Sequence, residues 1–140
     1  MDLEEVYNKV KSLNHDELIG LATSSAAEFL KYLKESGNDD EKSFKFLVYV
    51  TALFVGADGL LDESEYHLFC EITKQDISYE ELNNAFKGGY NDEYINAMDQ
   101  LIDRLPIKIK YAVCNYGLAF MGSDGEFTKK EKEVFEKILR

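Results

Sequence analysis

Acidic side chains recur in two blocks of the sequence that lie 66 residues apart. The first block, residues 54–69, reads F-V-G-A-D-G-L-L-D-E-S-E-Y-H-L-F, and the second, residues 120–135, reads F-M-G-S-D-G-E-F-T-K-K-E-K-E-V-F. In each block an Asp-Gly pair is followed, after five intervening residues, by a Glu. This is the second half of a calcium-loop pattern, in which the glycine permits a sharp turn and the Glu binds through both oxygens. The repeat predicts two oxygen-rich turns, the first elbow (residues 58–65) and the second elbow (residues 124–131).

A standard EF-hand is excluded, because the positions of its two leading carboxylates hold Phe54 and Gly56 in the first block and Phe120 and Gly122 in the second. Other oxygens remain as candidate ligands. They are Asp58, Asp62, Glu65 and the carbonyl of Leu60 at the first elbow, and Asp124, Glu126, Thr128 and Glu131 at the second. The first set supplies about five oxygens where calcium takes six to eight, so water would complete the shell.

The type and relative affinity of the cation follow from these ligands. Because all of them are oxygens, a hard divalent cation is expected, with calcium preferred over magnesium. Thr128 stands where the first block has Asp62, which removes one formal charge, although Glu126 offsets part of that loss. The first elbow is therefore predicted to bind more tightly.

Helix capping offers a second interpretation of the same residues. Asp62 or Thr128 at a helix N-cap, with Glu65 or Glu131 at the third helical position, forms a capping box that contributes about 1 kcal/mol per helix. Capping does not require the upstream Asp58 and Asp124, nor the same lead-in twice. Both interpretations stay open on the sequence alone.

Other chemistry has little support. His67, together with Glu63 and Cys70 at helical spacing, suits zinc, but Cys70 falls at an apolar-periodic position typical of a buried thiol. With two histidines, no nucleophile-elbow sequence and no phosphate-binding glycine loop, the sequence predicts neither an enzyme nor an organic cofactor.

Charge narrows the range of partners. Sixteen basic against 27 acidic side chains give a net charge of −11, which repels a phosphate backbone, so nucleic acid is not expected. The longest apolar run, residues 44–55, is too short for a membrane span, and the acidic, amphipathic N-terminus is unlike a secretory signal. Cys70 and Cys114 are read as reduced thiols. We therefore predict a cytoplasmic protein without membrane insertion that has a protein partner of unknown identity.

The elbows must be positioned by helices. The spacing of apolar residues and the helix caps predict eight helices in a single domain, residues 1–140. They run approximately over residues 3–13, 14–37, 44–56, 62–72, 78–88, 92–105, 106–122 and 128–139. Residues 44–56 could form a buried strand by periodicity, and residues 107–111 alternate briefly, but length and the following spacing favour helix. The predicted class is all-α, a bundle of seven to eight helices with two helix–elbow–helix hairpins.

The blocks G-A-D-G-L-L-D-E-S-E and G-S-D-G-E-F-T-K-K-E resemble the tellurite-resistance TerB-like family. The resemblance covers residues 42–140 and does not extend to residues 1–40. It implies a helical domain in which Asp58, Asp62 and Glu65 hold one divalent cation and Asp124 with Glu131 a second. The implied role is a cytoplasmic, metal-associated module in stress response or scaffolding, and the alternative from the residues alone is an interaction domain whose elbows are only helix caps.

Overall fold

Helices account for all the regular structure in the described part of the chain. The structure is a computed structural model that describes residues 5, 8, 12–55, 62–87, 92–121 and 129–139, and within them the chain forms seven helices and no strand. The helices are α1 (His15–Glu35), α2 (Asp40–Val55), α3 (Glu63–Thr73), α4 (Tyr79–Lys87), α5 (Asp92–Arg104), α6 (Ile107–Met121) and α7 (Lys129–Leu139). The all-α prediction is confirmed. Most of the helix predicted over residues 3–13 lies outside the described residues.

Several helix ends follow the predicted caps. Asn14 accepts a hydrogen bond from the Glu17 N–H at 2.8 Å, and its own N–H donates to Glu17 Oε1 at 3.3 Å, so α1 begins with a complete capping box. Gly37, just beyond the end of α1, has φ +94°, a conformation that glycine adopts without steric cost. Ser78 Oγ accepts the Glu81 N–H at 3.2 Å at the start of α4. Local side-chain chemistry therefore defines these boundaries.

One helix boundary differs from the prediction, and another forms without a glycine. Helix α2 begins at Asp40, where the sequence predicted an acidic connector, because the Asp39 carboxylate caps it by accepting the Lys42 N–H at 2.8 Å. Helix α3 ends at Thr73, and the next residue, Lys74, has a φ of +59°, which lies in the left-handed region that glycine usually occupies just past a helix end. The Lys74 N–H donates to the carbonyl of Cys70, so the backbone is satisfied without a glycine.

The longest apolar run of the sequence forms most of α2, and both segments with strand-like patterns are helical. Six consecutive residues of α2, from Phe46 to Thr51, are buried, which confirms residues 44–55 as a core segment. The Thr51 hydroxyl donates to the carbonyl of Leu47 at 2.7 Å, so this polar side chain is satisfied inside the core. No helix in the described ranges is long and apolar enough to cross a membrane.

All seven helices contribute to one cluster of buried side chains. Helix α6 packs against α1, α2 and α7, and its contact with α1 is the most extensive between any two described helices. The Phe29 ring of α1 meets Tyr116 of α6 edge-on at a centroid distance of 5.5 Å and Phe46 of α2 at 6.0 Å. These three aromatic side chains are fully buried and join α1, α2 and α6 at the centre of the core.

The two predicted hairpins share this core but pack differently. The incoming helices of the two elbows, α2 and α6, lie against each other. The outgoing helix of the second elbow, α7, packs on α6 and also on α2, whereas the outgoing helix of the first elbow, α3, packs on α1 and α4. Helix α2 therefore contacts both helices of the second hairpin.

Candidate metal-binding elbows

The described residues cover only part of the eight-residue candidate set. Asp62 and Glu65 are described with their side chains, and Glu131 lies within α7. Outside the described part are Asp58, Leu60, Asp124, Glu126, Thr128 and the side chain of Glu131. The described parts of the site are therefore the outgoing end of the first elbow and the helices that flank both elbows.

Asp62 caps the N-terminus of α3, as the capping interpretation predicts. Its Oδ1 accepts the Glu65 N–H at 2.7 Å and the Ser64 hydroxyl at 2.8 Å. In return, the Asp62 N–H donates to Glu65 Oε1 at 3.1 Å, which completes a capping box. These bonds fix the two carboxylates side by side at the start of the helix and account for one oxygen of each.

The electrostatics of Asp62 favour its ionised form. The Glu65 N–H, followed by the Ser64 hydroxyl, lowers the pKa of the Asp62 carboxyl below its usual 3.8, because both donors stabilise the negative charge. Asp62 is exposed, and Glu65 is half-buried. At neutral pH the first elbow therefore presents an ionised, solvent-accessible carboxylate whose Oδ2 takes no part in the capping bonds. This is the form and exposure that a hard cation requires of a ligand.

An aromatic contact joins the two blocks where the incoming helix of the first elbow ends. Phe54, in the last turn of α2, packs on Phe135 of α7 with ring centroids 5.3 Å apart and planes inclined by 39°. The Phe54 ring also covers Gly117 of α6, where an added Cβ would fall 2.3 Å from a ring carbon. The sequence repeat identified Phe54 and Phe135 as members of different blocks, but it gave no indication that they touch.

A polar contact joins the same two helices through α5. The buried Tyr49 of α2 donates its hydroxyl hydrogen to Asp99 Oδ1 at 2.7 Å, and Lys137 Nζ of α7 lies 3.1 Å from the same oxygen. Sequence reasoning missed Asp99, which is one of several acids on the polar face of α5. The available signal was Tyr49, because a tyrosine in a buried run needs a partner for its hydroxyl.

The residues considered for zinc have other partners. The imidazole of His67 lies 3.9 Å from a Glu63 oxygen, while the Cys70 thiol points toward the carbonyl of Ile77 at 3.8 Å. That carbonyl also accepts the Tyr66 hydroxyl at 2.8 Å. Within the part of the chain that the structure describes, no three His, Cys, Asp or Glu side chains are grouped so that they could hold a metal ion.

Both cysteines are free thiols, as predicted, and they differ in environment. Cys70 is half-buried on α3. Cys114 is buried in α6, and this burial raises the pKa of its thiol to about 12, because the thiolate would lose its hydration there. Cys114 is consequently an apolar core residue at neutral pH.

Comparison with known proteins yields no relative for this chain. No protein-family model matches the sequence, and no curated protein matches it. No solved structure matches the fold.

Proposed function

We propose that this chain is a non-catalytic, divalent-cation-binding helical module of the TerB-like type, with calcium preferred over magnesium. The observation that carries the proposal is the first elbow, where the capping bonds hold an ionised, exposed Asp62 carboxylate beside Glu65. Capping accounts for these two residues, but not for the upstream Asp58 or for its repetition as Asp124. Cation binding accounts for all four.

The proposed ligand sets combine described residues with residues known from the sequence only. The first cation would be held by Asp58, Asp62 and Glu65 with the Leu60 carbonyl, and the second by Asp124, Glu126, Thr128 and Glu131. Two bound divalent ions would change the formal charge from −11 to −7. Lower self-repulsion in the compact state would then add to the stability gained from the ligand bonds themselves.

Calorimetric melting with and without calcium or magnesium tests the proposal. At a hundredfold excess over its dissociation constant, a cation stabilises the folded state by about 2.7 kcal/mol, which raises the midpoint of a domain of this size by about 10 °C. The double variant Asp58→Asn/Asp124→Asn should lose this rise. Asp16→Asn/Asp103→Asn is a matched control, because it removes the same two charges at exposed helical positions outside both sequence blocks.

A pair of substitutions at Asp62 separates cation binding from capping. Asn caps a helix as well as Asp does, so Asp62→Asn should keep the capping contribution and cost the metal-free protein only the small stability that the Asp62 charge adds at neutral pH. It removes one charged ligand and should therefore reduce the calcium-dependent rise. Asp62→Ala should lower both the metal-free stability and the calcium-dependent rise of the midpoint. The loss in the metal-free state should be about 1 kcal/mol. If wild type shows no shift at millimolar calcium or magnesium, the cation-binding proposal is wrong.

A second candidate function is a protein-interaction or scaffold domain whose elbows are helix caps only. The complete capping box between Asp62 and Glu65 favours it, because these bonds explain the first-elbow side chains without a ligand. Under this function metal would change the melting midpoint of neither wild type nor Asp62→Asn. In either case the proposed role is that of a cytoplasmic stress-response or scaffold module with a protein partner.

A further inference from the structure

Three aromatic rings form a surface patch between α3 and α4, and we propose that this patch docks a basic segment of a partner protein through an arginine side chain. The aromatic patch consists of Tyr66 and His67 on α3 and Tyr79 at the start of α4. The centroid of the Tyr66 ring lies 5.1 Å from that of His67 and 5.6 Å from that of Tyr79. The inference goes beyond cation binding and does not require it, because none of the three residues belongs to either elbow.

The aromatic patch reaches the surface of the protein. Tyr79 is 40% exposed, and the other exposed large hydrophobic side chain in the described ranges is Ile107 of α6. His67 is exposed, and Tyr66 is half-buried. Tyrosine is enriched in the buried cores of protein interfaces, because its ring buries a large apolar area and its hydroxyl keeps a polar partner. Adjoining rings at the surface are therefore suited to docking another protein.

The central ring of the patch is fixed by a hydrogen bond. The Tyr66 hydroxyl donates to the carbonyl of Ile77 at 2.8 Å, which ties α3 to the connector before α4. The planes of Tyr66 and Tyr79 are inclined by 82°, so the two rings meet edge-on and are not stacked face to face. Because a fixed ring loses little conformational freedom on binding, this arrangement lowers the entropy cost of docking.

The helices that carry the patch are strongly acidic. Residues 62–87 contain seven acidic side chains and two lysines, and this net charge of −5 is nearly half of the total of −11. Partial burial raises the pKa of the Tyr66 phenol, as do the Cys70 thiol and then the negative charges of Asp76 and Glu81. Asp76 and Glu81 are therefore close enough for their charges to act on the aromatic patch.

The rings and the acids together favour a cationic partner. The face of a tyrosine ring attracts a cation, more often the guanidinium group of Arg than the ammonium group of Lys. Carboxylates beside the ring attract the same charge and accept hydrogen bonds from a guanidinium group. A second copy of this chain carries −11 and would be repelled overall. A basic, arginine-containing segment of another protein fits both the rings and the charge.

Titration with a labelled peptide tests this docking surface. The probe is a short, fluorescently labelled peptide in which Arg alternates with Gly, and its anisotropy is followed as protein is added. At about 0.15 M salt, attraction between distant exposed charges is largely screened, so binding reports mainly close contacts. Wild type should bind this peptide more tightly than the same peptide with Lys in place of Arg.

Tyr79→Ala should weaken binding of the arginine peptide by about 2- to 5-fold, the effect of losing one exposed contact between a cation and a ring. Tyr79→Phe keeps the ring and should bind as wild type does. Ile107→Ala is the matched control, because it truncates the other exposed apolar side chain on a helix without extensive contact to α3 or α4 in the described part of the chain. It should leave the affinity unchanged, and circular dichroism checks that each variant is folded.

A second pair of variants tests the acidic surroundings of the patch. Asp76→Asn/Glu81→Gln should weaken peptide binding by about 2-fold or more, because it removes two carboxylates near the rings. Asp103→Asn/Glu93→Gln removes the same two charges from exposed positions of α5 and should have a smaller effect. Both double variants have a net charge of −9, so a difference between them reports the position of the charges and not their sum.

Several results would overturn the proposal. They are no binding of the arginine peptide by wild type, equal affinities of wild type and Tyr79→Ala, equal affinities for the Arg and Lys peptides, and equal losses in the two double variants. If sedimentation shows that wild type dimerises and Tyr79→Ala does not, the occupant of the patch is a second copy and the proposed partner is wrong. The melting experiments with calcium and magnesium test cation binding separately, so either proposal can fail without the other.

Discussion

The hydroxyl oxygens of Thr51 and Tyr116 lie 2.7 Å apart inside the core, where α2 packs on α6. Both residues are fully buried. Because the Thr51 hydroxyl hydrogen is directed to the Leu47 carbonyl, Tyr116 acts as the donor to Thr51. Burial raises the pKa of Tyr116, so this phenol stays protonated and retains its donor hydrogen.

Substitutions at these two positions should have unequal effects on stability. Tyr116→Phe leaves Thr51 bonded to Leu47 and should cost about 1 kcal/mol. Thr51→Val leaves the Tyr116 hydroxyl buried without its acceptor and should cost about 1 to 3 kcal/mol. In the double variant the added cost of Thr51→Val should shrink, because no unpaired hydroxyl remains. Urea denaturation of the four proteins measures this, and additive losses would contradict the assigned bond.

Gly117→Ala should destabilise the protein, although alanine is the better helix former. The new methyl group would fall 2.3 Å from the buried Phe54 ring, and overpacking of this kind costs about 1 to 3 kcal/mol. The gain in helix propensity is only about 1 kcal/mol.

Gly20→Ala provides the control for that substitution. Gly20 lies within α1 with nothing inside 4 Å of an added Cβ, so the same change should stabilise the protein by about 0.5 to 1 kcal/mol. Chemical denaturation of both variants gives the sign of each change in the free energy of unfolding. A stabilising Gly117→Ala would mean that the Phe54 ring does not rest on this glycine.

Asp99→Ala should cost more stability than Asp99→Asn. Alanine removes the acceptor of the Tyr49 hydroxyl, a bond to a charged group that contributes about 1.5 to 3 kcal/mol. Asparagine keeps an acceptor oxygen and loses the ion pair to the half-exposed Lys137, which is worth about 1 kcal/mol or less. Thermal melts at low and high salt distinguish the two terms. Equal losses in both variants would show that the charge, and not the acceptor, is what stabilises this contact.

The stability contributed by the Asp62 charge should fall in acid. The pKa of Asp62 in the folded state is lower than its ordinary value of 3.8, so the unfolded chain binds its proton first as pH decreases. The contribution is complete above about pH 5 and is lost as pH falls through the folded-state pKa. Urea midpoints from pH 2 to 7 should therefore show wild type losing its advantage over Asp62→Asn below about pH 4. A constant difference over that range would rule out this titration.

The two thiols should react at very different rates in the folded protein. Cys114 is buried and its pKa is raised to about 12, so almost no thiolate exists at pH 8, whereas Cys70 is half-buried. A disulfide reagent should modify one thiol quickly in native protein and the second only after unfolding. Mass spectrometry of the modified peptide identifies which of the two cysteines has reacted. Rapid modification of Cys114 would show that α6 opens readily.

The sequence predicts much of the fold because its signals are local. Apolar spacing identifies the helices, and the Asn14 and Asp62 boxes place two of their starts, since a capping side chain bonds to backbone three residues away. The start of α2 was placed too late because Asp39 lies in a run of polar residues that resembles a connector. The end of α3 at Thr73 is followed by Lys74 and not by a glycine that would mark it.

Contacts between distant segments could not be predicted in this way. The pairing of Phe54 with Phe135 and that of Tyr49 with Asp99 depend on how helices stack, and a single sequence records no such pairing. For the candidate elbows, the repeat identified the acids, and the cap at Asp62 is confirmed. Cation binding by Asp58 at the first elbow and by Asp124 at the second stays a prediction. Several side chains would have to bind the same ion, and this is not a local property of the chain.

The extensive contact between α1 and α6 has a consequence for how the chain folds as it is made. Ile107, where α6 begins, follows Glu35, where α1 ends, by 72 residues. At about 5 to 20 residues per second, a ribosome needs roughly 4 to 14 s to reach α6 after completing α1. During that interval the apolar face of α1 that holds Phe29 and Leu33 cannot pack on α6, the helix with which it makes its most extensive contact. A nascent chain stalled before α6 should therefore be a better substrate for chaperones than one stalled after it.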